Sequence, residues 1–142
     1  MKLNIIDLQK ELTLNKKKLR KLTNEILKGE LRNIKGEINL VFVNDNQIRK
    51  INSYFLKKNV PTDVLSFNES SDKKNFFGEV IISTQRAKIN AKRYKTNPIY
   101  EVYLYIIHGI LHLLGYKDRK IEERKRMNKK TKEILSRLKF IN

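Results

Sequence analysis

Asn97-Pro98-Ile99-Tyr100-Glu101-Val102-Tyr103-Leu104-Tyr105-Ile106-Ile107-His108-Gly109-Ile110-Leu111-His112-Leu113-Leu114-Gly115-Tyr116-Lys117-Asp118 is the stretch from which the rest of the chain is read. Asn97-Pro98 breaks whatever precedes it, and proline is at home in the first turn of a helix, where its missing N–H costs nothing. From Val102 to Leu114 the residues are apolar except for two histidines and one glycine. Gly115 then supplies the C-terminal stop. The pattern predicts one buried helix from Pro98 to Leu114, around which the other elements pack.

His108 and His112 are the only histidines in the chain. Residues four apart on a helix face the same way, with Cβ atoms about 6 Å apart. Two imidazoles so placed can reach one metal ion at about 2.0–2.1 Å. Burying both without such a use would cost desolvation energy. Taken alone, so short a pattern as H-x3-H is more often a hydrogen-bonded core or surface pair than a metal site. Its context argues for the metal. After Gly115 the chain must reverse, which brings Asp118 within reach as a third ligand. Three protein ligands plus water make a catalytic rather than a closed structural site. Tyr116 and Lys117 lie close enough to touch a substrate, although Tyr116 can equally pack beneath the turn. Zinc peptidases of the H-E-x-x-H type carry their general base beside the first histidine. That position here is Gly109, which disfavours a peptidase.

Outward from this helix, the N-terminal side alternates strand and helix signals. Leu3 to Ile6 reads as a strand. Leu19, Leu22, Ile26 and Leu27 recur at helical spacing from Asn15, with Gly29 near the end of that helix. Lys16, Lys17, Lys18, Arg20 and Lys21 cluster early in it, as a binding patch or a solvated face. Glu37 to Val43 is β-branched and alternating, so it is a strand. Asn44 or Asp45 caps a helix whose inner face carries Ile48, Ile51 and Phe55. Pro61 opens a turn, Val64 to Phe67 is a short strand, Asn68 to Asn75 a loop and Gly78 to Ser83 a strand. Ser83 or Thr84 caps a helix running to about Lys95. Beyond the histidine helix, Ile121 to Leu138 is amphipathic, with Met127, Ile134 and Leu138 inward. The result is an α+β fold: a small mixed β-sheet packed with about five helices, with the metal site on a central helix. Residues 1–142 read as one domain.

Composition narrows the function. Thirty-two Lys and Arg against 15 Asp and Glu give a net charge of +17, a field that favours a polyanion. A lysine-rich composition can also reflect solvated helix faces. The stretch from Lys117 to Lys139 carries much of this charge and can guide RNA beside the metal, or simply face water. No apolar run approaches the roughly 20 residues that span a bilayer, and the N-terminus lacks the apolar core of a signal peptide. The expected setting is cytoplasmic, with no membrane partner. With no cysteine, any transition metal must be held by His, Asp or Glu.

The run from His108 to Tyr116, followed by Asp118, resembles the metal motif of the YbeY family of endoribonucleases, the rRNA maturation factors. Pro61-Thr62-Asp63-Val64-Leu65-Ser66-Phe67 and Gly78-Glu79-Val80-Ile81-Ile82-Ser83 resemble that family's two other signature segments, in the same order and at suitable spacing. The likeness implies a single-strand-specific, metal-dependent endoribonuclease. Its role would be rRNA maturation, notably 16S rRNA 3′ end processing, and ribosome quality control. The implied ion is Zn2+ or a similar divalent metal. Implied partners are ribosomal RNA and the ribosomal small subunit or its assembly factors.

Two departures from the family stand out. Much of the family has histidine where this chain has Asp118. The family also commonly carries an arginine shortly before the Pro-Thr-Asp segment, where this chain has Leu56. Lys57 or Lys58 can supply charge there, but not arginine's bidentate fork. Glu79 is a candidate base or ligand-orienting group, or else a solvated strand residue. Asp63 and Ser66 read as turn and strand-edge structure. Phe67 can stack a base or pack in the core. The competing reading is a non-catalytic RNA- or ribosome-binding assembly factor with a structural metal; a peptidase or other metallohydrolase is a weaker one.

Overall fold

A computed structural model describes residues 1–28, 35–72 and 74–138. Its elements, in chain order, are β1 (Lys2–Asp7), α1 (Lys16–Leu27), β2 (Lys35–Val43), α2 (Asp45–Leu56) and β3 (Val64–Asn68). They are followed by β4 (Asn75–Ser83), α3 (Thr84–Tyr94), α4 (Pro98–Leu113) and α5 (Ile121–Arg137). This is the expected α+β fold with a mixed sheet. Gly29 lies outside the described residues. β3 and β4 reach further into the expected loop, to Asn68 and from Asn75, because Phe76 and Phe77 continue the pairing of β4 with β2.

The strands lie in the order β1-β2-β4-β3. β1, β2 and β4 are parallel, and β3 runs antiparallel along the β4 edge. Side chains alternate between the two faces. Ile38, Leu40, Phe42, Val80 and Ile82 point to one face and join Leu19, Leu22 and Ile26 of α1, Ile106, Ile110 and Leu111 of α4, and Met127 and Ile134 of α5 in the main core. Val41, Val43, Leu65 and Ile81 point to the other face, where Ile48 of α2 covers them.

Local chemistry sets the helix ends. Asn15, Asn44, Ser83 and Asn97 each accept a hydrogen bond from a backbone N–H of the first turn they precede. α2 has a full capping box, with Gln47 reaching back to the Asn44 N–H at 2.9 Å. α5 carries Glu122 and Glu123 at the positive end of its dipole.

One expected inward residue is not inward. Ile48 is buried and Ile51 packs on the smaller cluster, but Phe55 is 59% exposed. The sheet ends at β3, so the last turn of α2 overhangs the edge, and Phe55 meets the rings of Phe67 and its neighbour Tyr54. Among the described residues, no helix is long and apolar enough to cross a membrane.

Candidate metal centre

α4 lies against β3 and β4 because Gly109 lets it. A Cβ built on Gly109 would stand 2.5 Å from Cγ1 of Val80 and 3.2 Å from both Oγ of Ser66 and Cγ2 of Val64. The Ser66 hydroxyl also donates to the Gly109 carbonyl at 2.8 Å. This close contact fixes the helix at the residue next to His108. It also shows that position 109 faces the sheet, so a base of the H-E-x-x-H kind has no place there.

At its other end α4 closes in a Schellman turn. Gly115 takes φ +98°, its N–H donates to the His112 carbonyl at 3.0 Å, and the Tyr116 N–H donates to the Leu111 carbonyl at 3.0 Å. The turn carries the Tyr116 carbonyl back to the ring of His112, where it stands 3.0 Å from Nδ1. A carbonyl can only accept, so Nδ1 carries a proton, and in the neutral tautomer that follows Nε2 presents its lone pair. Nε2 of His112 then lies 3.6 Å from Oδ2 of Asp118. Two donors at about 2.0–2.2 Å from one tetrahedral ion stand roughly 3.4 Å apart, so this pair is spaced as neighbouring ligands would be.

His108 joins the pair by lining the same cavity of about 380 Å³, together with Thr62, Asp63, Val64, Arg124, Met127 and Asn128. Burial holds the His108 imidazole below its ordinary pKa, and nearby His112 adds to this, while Asp63 and Asp118 oppose it. The neutral ring that results is the form that binds a metal. Among the described residues, no group of three or more His, Asp or Glu converges tightly enough to hold an ion. The site as it stands is a ligand-spaced pair with a third donor in the same cavity. The donor set, two imidazoles and a carboxylate with a second carboxylate, Asp63, alongside, suits a divalent cation.

Asp63 has the turn role expected of it, since its Oδ1 accepts from the Val64 N–H at 2.8 Å, and it also lines the cavity. Ser66 is structural, as expected. Glu79 is not brought to the cavity. It alternates with Val80, sits on the sheet face of Ile81 and pairs in register with Phe67, so the sheet separates it from α4. Its carboxyl is raised above the ordinary range by burial and then by the charge of Glu69.

Arg124 escaped the sequence reading. It lines the cavity from α5, and its Nη1 donates to the carbonyls of Asp118 and Arg119 at 3.3 and 3.0 Å, tying down the loop that carries the third donor. Nothing in the sequence distinguishes it from the other cations of α5. A wider groove of about 770 Å³ opens beside the cavity, between Leu56, β3 and the loop from Tyr116 to Lys120. His112 and Asp118 lie in its wall with Lys117, Arg119 and Lys120, and Tyr116 both lines it and packs against the main core.

A family model described as Endoribonuclease YbeY matches residues 4–139. A protein named Endoribonuclease YbeY from Elusimicrobium minutum is 37% identical over 114 residues, covering 78% of this chain and 80% of its own length. Proteins of the same name from Amoebophilus asiaticus and Karelsulcia muelleri are 41% and 43% identical. Each match covers 66% of this chain, and they span 63% and 66% of those relatives, just under two thirds. The solution structure of TM1509 from Thermotoga maritima superposes with a TM-score of 0.63 at 27% identity, covering 95% of this chain and 90% of that one.

Proposed function

This chain belongs to the YbeY family of endoribonucleases, and on that premise we propose that it is a single-strand-specific, metal-dependent endoribonuclease. It acts in the cytoplasm on ribosomal RNA, at the 16S 3′ end and in quality control of the small subunit, with residues 1–142 as one catalytic domain. The observation that carries the reading is that His108, His112 and Asp118 share one cavity, opening beside a cation-lined groove.

His108, His112 and Asp118 would hold the ion, most naturally zinc given two imidazoles and a carboxylate. When bound, such an ion supplies Lewis-acid polarisation of a phosphoryl oxygen and a water of lowered pKa. The chain's own groups do the rest. The Tyr116 carbonyl fixes the tautomer of His112. Asp63 adds negative charge that attracts a cation. Arg124 holds the loop of Asp118 in place. Lys117, Arg119 and Lys120 line the groove and grip the RNA backbone, with their charge near the phosphate that reacts. Glu79, behind the sheet, takes no part.

The test is cleavage of a single-stranded RNA containing a 16S 3′ precursor end by wild type, His112→Ala and Asp118→Ala, with metal content measured on each. Wild-type cleavage that both variants lose together with the metal supports the proposal. Cleavage that survives His112→Ala and chelation refutes it, and tight RNA binding with bound metal but no cleavage indicates an assembly factor instead.

A further inference from the structure

The last turn of α2 presents Tyr54, Phe55 and Leu56 to solvent, 73%, 59% and 49% exposed, and Val60 follows at 54%. Contiguous exposure of this kind marks an interaction surface rather than scatter. The rings are ordered among themselves. Phe55 lies 5.1 Å from Phe67, centroid to centroid, and Tyr54 meets Phe55 edge-on at 4.8 Å. Phe67 and Leu56 belong to the wall of the groove that runs to His112 and Asp118. Through Leu56 and Phe67 the aromatic patch therefore adjoins, around the β3 edge, the groove that His112 and Asp118 also line.

Its electrical surroundings identify the occupant. Residues 46–62 hold Arg49, Lys50, Lys57 and Lys58 and no carboxylate. Among the described residues, none of these four is paired with a carboxylate; Arg49 donates to Asn46 and Asn59, and Lys57 to the Tyr54 carbonyl. Lys117, Arg119 and Lys120 line the same groove as Leu56 and Phe67. A ligand that fits has flat apolar faces strung on a polyanion, which describes unpaired nucleotides.

We propose that Phe55, supported by Phe67 and flanked by Tyr54, is a stacking platform for an unpaired nucleobase of the RNA substrate, and that it orients the strand in the groove. The proposal deepens the ribonuclease reading and rests on it. The platform requires an unstacked base and so selects single strands over duplex. Stacking is tolerant of base identity, so the platform selects for strandedness without demanding a sequence.

Phe55 is exposed, so its replacement leaves the fold intact, which thermal unfolding of each variant checks. Steady-state cleavage of a single-stranded RNA is compared for wild type, Phe55→Ala and Phe55→Tyr. The same RNA carrying 2-aminopurine at one position at a time reports stacking by fluorescence quenching. We expect Phe55→Ala to raise KM about tenfold while kcat changes less than twofold, and to abolish quenching at one position. Phe55→Tyr should restore both.

If wild type cuts RNA through His112 but Phe55→Ala has the wild-type KM and quenching, the platform is refuted and the ribonuclease reading stands. A wild type that binds RNA without quenching at any position also refutes it. A wild type that neither binds nor cuts RNA overturns both. If Phe55→Ala instead converts a dimer to a monomer with RNA affinity unchanged, the patch is a contact between copies and the proposal fails.

Discussion

Gly109→Ala adds one methyl group where α4 touches the sheet, and three magnitudes decide its effect. The new Cβ would stand 2.5 Å from Val80 Cγ1, a short, fully buried, β-branched side chain that cannot swing away. Overpacking of this kind costs about 1–3 kcal/mol, and contacts at 3.2 Å on two further sides put it at the upper end. A shift of the helix also stretches the 2.8 Å bond from Ser66 to the Gly109 carbonyl, worth about 1 kcal/mol. Against this, alanine stabilises a helix interior over glycine by about 1 kcal/mol. The net expectation is a loss of about 2–3 kcal/mol, read by urea unfolding in the presence of a chelator so that metal does not contribute. Val80→Ala removes the clashing atom. The double variant should therefore be more stable than the sum of the two single changes by about 1–2 kcal/mol. A Gly109→Ala protein as stable as wild type, with no coupling to Val80, would show that the helix is not held where the structure has it.

Gly115→Ala meets no atom within 4 Å but must adopt φ +98°, so we expect backbone strain of about 1–3 kcal/mol in chemical unfolding, and weaker metal retention as the Tyr116 carbonyl leaves His112. Asp118→Ala, at an exposed side chain, should change stability by less than about 0.5 kcal/mol while metal content by elemental analysis falls sharply. The buried Glu101 carboxyl is raised above its ordinary value by burial and by the charge of Asp63, with the Thr96 hydroxyl opposing. The unfolded chain thus ionises first, and stability falls as pH rises from the ordinary carboxylate range through the folded pKa. Glu101→Gln should accordingly gain stability over wild type at pH 7 and not at pH 4, in paired denaturation series; equal differences at the two pH values would contradict this. Leu56→Arg places a fork-shaped cation in the groove wall, and the cleavage rate of single-stranded RNA should rise.

Much of this architecture is legible from local signals because the helix ends are chemically punctuated. Asn97-Pro98 and Gly115 bound α4, and Asn44 and Ser83 cap α2 and α3 as their side chains suggest, with Asn15 capping α1 in the same way. That His108, His112 and Asp118 line one cavity is legible for the same reason, since helical spacing and a glycine stop bring them near one another without tertiary information. What stayed hidden depends on the sheet. Both faces of β4 are apolar, through Val80 and Ile82 on one side and Ile81 on the other, so alternation alone does not say which face receives α4, and Glu79 falls on the wrong side. Phe55 continues the spacing of Ile48 and Ile51, but periodicity carries no notice that the sheet ends at β3. Gly109 reads as a missing base, whereas its role is contact with Val80.

The Schellman turn divides the responsibilities of the three donors. His108 and His112 sit on a helix fixed to the sheet by Ser66 and to its own C-terminus by Tyr116. Asp118 stands beyond that turn, on a loop whose course depends on Gly115 and Arg124 rather than on what residue 118 is. Mutation at 118 is therefore expected to be nearly silent for folding, while under the proposed metal site it would change the hardness of the ligand set. If the proposed site holds an ion, divergence could explore ion preference at that one codon, exchanging an imidazole for a carboxylate with the core undisturbed.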